Sequence, residues 1–368
     1  MELKIKEHDR RMDEIKEINF ICEKNQECVF ILGTNVFGGG IAKYLKDNGL
    51  ISEIQYVVDD EYIREDDIRA GVRRMSEFLI WHAASAPLVF GIDNYEIVMA
   101  RKQKYAGIVR YMFDFHITMV NMVRVDWNAE YLRDNYHAFN TVYKILADDN
   151  SKKVMQNYLN AAVAGEFHDL FMECYEKIPY FGDVLRGKKI DRFFDCGAFD
   201  GDTIHDFVKY IDSYEKIYAF EPDKDNISKM RRRIQKENLH DVNVIEKGVW
   251  SETTALRLMS EGAPNSYISD EGNVTVEVIC LDNIYDEVTN HSLIKMDIEG
   301  SEMKALEGAE RIIAKKLPYL AICVYHKKED LITIPQYIES IAGAGTYRFY
   351  LRFQGLGLSE LVLVGIPA

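Results

Sequence analysis

Cysteines at CxxC spacing are absent from this 368-residue sequence. The six it has, Cys22, Cys28, Cys174, Cys196, Cys280 and Cys323, are scattered, several inside apolar runs such as AICVY. That argues against a zinc ribbon or disulfide framework and favours reduced thiols packed as small hydrophobes. No apolar run reaches the ~18 residues of a membrane span, and the opening MELKIKEHDRRMDEIKEINF is too charged for the core of a secretory signal. A cytoplasmic protein with no membrane span is expected. Positive charge is also short, 45 basic against 60 acidic residues for a net −15, which repels polyphosphate and argues against general nucleic-acid binding. What is present, 47% apolar and 29% charged residues, is the composition of a folded chain, and its length favours two domains over one.

Ile5, Met12, Ile15 and Ile18 fall near one helical face and lead into the strand-like CVFIL, the glycine turn GTNVFGGG and a helical IAKYLKDNGL. A second strand, IQYVVDD, ends at Asp59 and Asp60. Residues 1–135 are therefore expected to form a small Rossmann-like α/β domain, and residues 136–186, with YKIL, VMQNYLNAAV and FHDLFMECY spaced three and four apart, a helical connector. From residue 187 to 368 strands and helices alternate, through DRFFDCG, KIYAFEP, VNVIEKGVW, VEVICLD, LIKMD, YLAICVYH, YRFYLRF and ELVLVGI. Such alternation specifies an α/β fold, a mainly parallel sheet covered by helices on both faces.

In such sheets ligands lie beyond the C-terminal strand ends, closest to the first strand-to-helix turn. That turn is DCGAFDGDT, from Asp195 to Thr203. Gly197 and Gly201 let the backbone bend and a ligand approach, and Asp202 or Thr203 can cap the helix whose N-terminus favours a carboxylate. Phe199 stands where D-x-G-x-G-x-G would place its third glycine, so the turn departs from the dinucleotide fingerprint. Glu221 ends the next strand twenty residues after Gly201, the position from which an acid accepts hydrogen bonds from ribose hydroxyls. Val249 or Trp250, at the third strand end, could flank an adenine ring or simply pack in the core.

DCGAFDGDT, YAFEPDKDN, KMDIEGSEMKALEGAERII and the closing strands to SELVLVG together resemble the FkbM-type S-adenosylmethionine-dependent methyltransferases over roughly residues 180–368. The resemblance implies a class I methyltransferase fold in which Asp195, Gly197, Ala198, Gly201, Asp202 and Thr203, with Glu221 and Pro222 of the second strand end, hold the methyl donor. Asn265, Ser266 and Tyr267, in the glycine-flanked GAPNSYISDEG, resemble the family's substrate-side loop and could equally be a surface hairpin. It also implies a small-molecule or glycan acceptor, a nucleotide sugar included, with a sugar hydroxyl first; homo-oligomer formation stays open. The first 135 residues inherit nothing from it.

Neighbouring strand ends bring Asp297, Glu299 and His326 toward one rim. A hydroxyl acceptor loses its proton as the new bond forms, so His326 or Asp297 is the candidate base, His326 being better matched to neutral pH. The same carboxylates and imidazole could hold Mg²⁺ or Mn²⁺, although no His-x-x-x-His pair supports a metal and none is assigned. In GTNVFG, Asn35 replaces the middle glycine and obstructs a pyrophosphate, so a scaffold role for the first domain outweighs nucleotide binding despite Asp59. Arg231–Arg233, among Lys229 and Lys236, reads as a solvated helix face. Two other functions fit the glycine turns: a nicotinamide dehydrogenase, and a non-catalytic module that keeps the donor site.

Overall fold

The computed structural model describes residues 2–116, 119–120, 123–124, 127–259, 267–269 and 271–368, and the apolar runs fold there as two mainly parallel sheets. A helix over Arg10–Asn25, N-capped by Asp9, leads into β1 (Val29–Leu32), β2 (Ile54–Val58), β3 (Arg73–Arg74), β4 (Pro87–Phe90) and β5 (Tyr111–Asp114). These strands pair in the order β3-β2-β1-β4-β5, all parallel. β1 and β4 are buried along their whole length, as central parallel strands must be when both faces are covered. The short β6 (Met119–Val120) and β7 (Val123–Arg124) form an antiparallel pair.

Helices over Tyr136–Ile145, Asp149–Ala164 and Phe167–Cys174 follow. The sequence then enters β8 (Arg192–Cys196), β9 (Lys216–Phe220), β10 (Val242–Ile245), β11 (Gly248–Val249), β12 (Thr254–Met259), β13 (Tyr267–Ile268), β14 (Val274–Ile279), β15 (Ser292–Met296), β16 (Tyr319–Cys323), β17 (Tyr347–Phe353) and β18 (Leu361–Pro367). Seven of these make one sheet in the order β10-β9-β8-β15-β16-β18-β17, in which β18 runs antiparallel to β16 and β17. The order reverses between β8 and β15, which makes their C-terminal ends the switch point where such folds bind ligands. VNVIEKGVW is not the single strand expected from its apolar run: β10 ends at Ile245, and Gly248–Val249 pairs instead with β14 in a four-stranded sheet of order β11-β14-β12-β13. That small sheet stands over the switch point.

The helical segment is fastened to the outer edge of the large sheet. Ala147 N–H donates to Phe349 O at 2.8 Å and Glu176 N–H to Phe353 O at 2.9 Å, so the segment extends the backbone pairing of β17. Arg352, almost fully buried, adds side-chain bonds to Asp183 (2.7 and 2.6 Å), Asp148 (2.8 Å) and Ser151 (2.9 Å). A bidentate guanidinium–carboxylate pair of this kind fixes direction as well as distance. All six cysteines are free thiols.

Candidate active site

A cavity of about 580 Å³ opens at the C-terminal tips of β8, β9 and β15, with the four-stranded sheet as one wall. Its floor is the turn after β8. Gly197 has φ +82°, and a Cβ there would run into the carbonyl of Asp297, so the backbones of the two central strand ends touch because the residue has no side chain. Phe199, at the position of the missing third glycine, also adopts a left-handed conformation, φ +45°, so the turn keeps glycine-like geometry under strain. The following helix, Asp202–Tyr210, begins after Gly201 at φ +85° with no side-chain cap; Asp202 instead accepts from the N–H of Thr203 next to it. Capping by Asp202 or Thr203 is therefore corrected, and both side chains line the cavity.

Arg233, expected to be solvated, donates to Asp200 O at 3.0 Å and to the Asp200 carboxylate at 2.8 Å, pinning the turn from the next helix. Arg231 and Arg232 stay exposed as expected, Arg231 reaching Glu246 at 2.7 Å. Glu221 ends β9 as its position predicts. Its carboxylate accepts from Phe199 N–H at 3.0 Å and Asp223 N–H at 2.9 Å, which ties the two strand-end turns together while the group still lines the cavity. Burial pushes its pKa up to about 7, against the pull of those two N–H groups. Pro222 and Val249 line the same end, but Trp250 does not: its N–H pairs with Ile279 O and its carbonyl packs on Gly308. The adenine-flanking role considered for Trp250 is thus corrected. The apolar wall comes from Val249, Leu258, Ile268 and Val278 with Tyr267. Ala198 and Gly201 sit in the turn without reaching the cavity surface, and Asn265 and Ser266 lie outside the described residues.

Asp195 is fully buried beneath the turn, opposite Lys295 in the β8–β15 register. Lys295 Nζ stands 3.1 Å from its carboxylate and 2.9 Å from Gly197 O. Burial raises the Asp195 pKa to about 6, which Lys295 limits. Burial opposes the charge on Lys295 in turn, yet Asp195 and Asp297 outweigh it and hold the ammonium above its usual range. Asp195 therefore shapes the turn through Lys295 and lies behind the cavity surface, whereas Lys295 itself lines it.

At the far end Asp297 accepts from Tyr180 Oη at 3.0 Å and Tyr325 Oη at 3.3 Å. Burial works against its charge, but Lys295, His326 and the Tyr180 hydroxyl prevail and hold its pKa below the usual value. Glu299 shares this wall, aimed by a left-handed φ of 55°. His326 is brought close to both but lies beneath the wall, its imidazole surrounded by Asp297, Glu299 and Glu302. Burial disfavours its charge, and the three carboxylates, Glu302 first, reverse that and raise its pKa to about 10. The preference for His326 as a base near neutral pH assumed an ordinary imidazole, whereas among these carboxylates the ring holds its proton too tightly to serve as one.

Sequence reasoning missed Lys295, Tyr180, Tyr325, Glu360 and Asp93, all on the cavity wall. Lys295 carried a signal: a lysine inside the apolar strand SLIKM, facing Asp195 in register. Asp93 comes from the loop after β4, and the adjoining Tyr95 N–H bonds Leu356 O at 2.8 Å, so the first sheet closes one side of the cavity. The N-terminal glycine turn is used otherwise: Asn35 caps the helix Val36–Asp47, and Asp59 is engaged by Arg101 at 2.7 Å and Tyr105 at 2.8 Å.

Residues 195–346 match the family described as Methyltransferase FkbM domain. Among solved structures, Methyltransferase FkbM from Methylobacillus flagellatus KT superposes with a TM-score of 0.69 at 22% identity, covering 95% of this chain and 92% of that one. That likeness shows that the two chains share a mixed α/β fold. A rRNA methylase from Streptococcus thermophilus (TM-score 0.32, 14% identity, 49% and 87% of the two chains) and Aeropyrum pernix fibrillarin with natively bound S-adenosyl-L-methionine (0.31, 11%, 50% and 70%) are more distant. No curated protein matches the sequence.

Proposed function

From the premise that this chain carries a methyltransferase FkbM domain, we propose that it is an S-adenosylmethionine-dependent methyltransferase acting on an oxygen, with a sugar or glycan hydroxyl as acceptor. The observation that carries this reading is the single cavity with two chemically different ends. The residues present fit the donor. The turn at Gly197 leaves backbone rather than side chain facing the cavity, Glu221 offers carboxylate lone pairs for ribose hydroxyls, and Val249, Leu258 and Val278 form an apolar wall for a flat ring. In this reading Gly197, Phe199, Asp202 and Thr203 receive the amino-acid end, Glu221 the ribose, and Pro222 and Val249 the base. S-adenosylmethionine supplies an electrophilic methyl group on a sulfonium.

The chain's own work is alignment, exclusion of water and handling of one proton. Holding acceptor and donor in line can contribute on the order of 7–11 kcal/mol, and a general base about 10²- to 10⁴-fold. Asp297 is the group that orients the acceptor hydroxyl and takes its proton, since Tyr180 and Tyr325 fix the carboxylate. Around it Asp93, Glu299, Ser359 and Glu360 are mostly hydrogen-bond acceptors. Such a lining suits a polyol, whose hydroxyls donate, and repels a diphosphate, so the nucleotide of any nucleotide sugar would lie outside.

The test is incubation with labelled methyl donor and a panel of free glycans and nucleotide sugars, read by mass spectrometry, with calorimetry for donor binding. Asp297→Asn should retain donor binding and lose about 10²- to 10⁴-fold in turnover. Protection by NADH but not by S-adenosylmethionine would establish a dehydrogenase instead. Donor binding without transfer to any acceptor, and with no response to Asp297→Asn, would leave a non-catalytic module.

A further inference from the structure

His326 is 5% exposed and sits under the acceptor end of the cavity. Its two ring nitrogens face different groups. Nδ1 lies 2.9 Å from Oε1 of the fully buried Glu302, an oxygen that also accepts from Ile298 N–H at 2.9 Å. Nε2 faces the opposite way, 3.5 Å from Asp297 Oδ1 and 3.4 Å from Glu299 Oε2, and among the described residues neither ring nitrogen closes a hydrogen bond.

Those separations are informative. N–H···O bonds close at about 2.7–3.2 Å, and an imidazolium facing two carboxylates should draw one of them in. Two ligand atoms each about 2.1 Å from a tetrahedral ion stand roughly 3.4 Å apart. Asp297, Glu302 and His326 each also have an atom within 4.8 Å of the others, so Glu302 belongs to the immediate surroundings of the same imidazole and carboxylate. We propose that His326 Nε2, Asp297 and Glu299 bind a first-row divalent cation in the cavity wall. The cation takes the place of the Nε2 proton, and Glu302, 2.9 Å from Nδ1, is placed as the outer carboxylate that metal-ligating histidines commonly have.

Charge and backbone agree with this assignment. Asp297, Glu299, Glu302, Asp330 and Glu360 gather around His326, with Lys295 as the other cation acting on Asp297 and Glu360. The second oxygen of Glu302 is buried with no hydrogen-bond partner among the described residues. Glu299 holds a left-handed φ of 55°, a conformation unfavourable for a non-glycine residue, and Gly300 follows at φ +87°. Imidazole with carboxylates suits Mn²⁺, Fe²⁺ or Zn²⁺ better than Mg²⁺ or Ca²⁺. Its role, to polarise the acceptor oxygen and ease loss of its proton, rests on the methyl-transfer reading; the binding does not.

The test uses the full chain stripped with chelator and titrated with Mn²⁺, following free Mn²⁺ by electron paramagnetic resonance and the bound ion by spin-echo modulation. One ion per chain is expected, with nitrogen coupling from an imidazole. Glu299→Gln and His326→Gln should each weaken binding at least tenfold, and Glu302→Gln 10- to 100-fold. Should His326→Gln not fold, Glu299→Gln and the nitrogen signal of the unaltered protein decide. No saturable site, a bound ion without nitrogen coupling, or unchanged affinity in Glu299→Gln would overturn the proposal. Calorimetry with S-adenosylmethionine in parallel separates the two ideas: Mn²⁺ bound with no donor binding would defeat the methyltransferase reading alone.

Discussion

Replacing Gly197 by alanine tests whether the contact between the two central strand ends makes the donor pocket. Two effects add. Alanine at φ +82° loses about 1–2 kcal/mol to left-handed backbone strain. Its Cβ would also stand 3.0 Å from both the Asp297 carbonyl carbon and Ile298 Cγ2, and closer still to the carbonyl oxygen. Backbone cannot rotate away as a side chain can, so the turn must lift off β15, an overpacking of about 1–3 kcal/mol. The expected loss is about 2–5 kcal/mol, read as a fall in the denaturant midpoint at constant slope. Gly187→Ala supplies the control, since Gly187 has φ +74° with nothing within 4 Å of a built Cβ. It should register only the strain, partly offset by the stiffer unfolded chain, and fall by about 1 kcal/mol or less. Calorimetry should show S-adenosylmethionine affinity reduced at least tenfold by Gly197→Ala and unchanged by Gly187→Ala. Equal destabilisation by the two substitutions, with unaltered donor affinity in both, would refute the claim that backbone proximity at Asp297 shapes the site.

Lys295→Met removes the cation from the fully buried Asp195, and breaking a buried pair costs about 3–5 kcal/mol. Because the Asp195 pKa then rises above its present value of about 6, the loss should be smaller at pH 5 than at pH 8, and adding Asp195→Asn should restore part of it; a loss under 1 kcal/mol at both pH values would contradict the pairing. Glu221 has a folded pKa of about 7 against 4.5 for a free carboxyl, so the folded state binds more protons between those values and this group's contribution to stability falls as pH rises through that window. Ribose hydroxyls favour the ionised form, so donor affinity should drop up to tenfold per unit below pH 7 and become flat in Glu221→Gln; a flat profile in the unaltered protein would exclude Glu221 from donor binding.

The turn after β8 and the acid after β9 were legible because their chemistry is local: glycines at fixed offsets after an apolar run, then a strand-end carboxylate. The strand alternation likewise pointed to the parallel sheet. Tyr180 and Asp93 were not legible, because tertiary pairing brings them to the site. Tyr180 reaches Asp297 across 117 residues of sequence, and Asp93 belongs to the other sheet. Arg233 and Trp250 show the limit of default expectations. A helix face of arginines looks solvated until one of them anchors the neighbouring turn, and a tryptophan at a strand end looks like a ring platform until its backbone joins another strand. His326 stands at the strand end where the sequence put it, but Glu302, buried beneath it, could not be read from the local pattern.

The fastening of residues 146–176 to the edge of β17 bears on any attempt to transplant the catalytic half. A chain beginning at Arg192 would leave Phe349 and Phe353 with unpaired carbonyls on a bare sheet edge and strand the Arg352 guanidinium without its counter-ions. Grafts joined at that point should clump through their open edges, whereas a junction upstream of Leu146 carries its own selvedge, though it leaves behind the Asp93 side of the cavity.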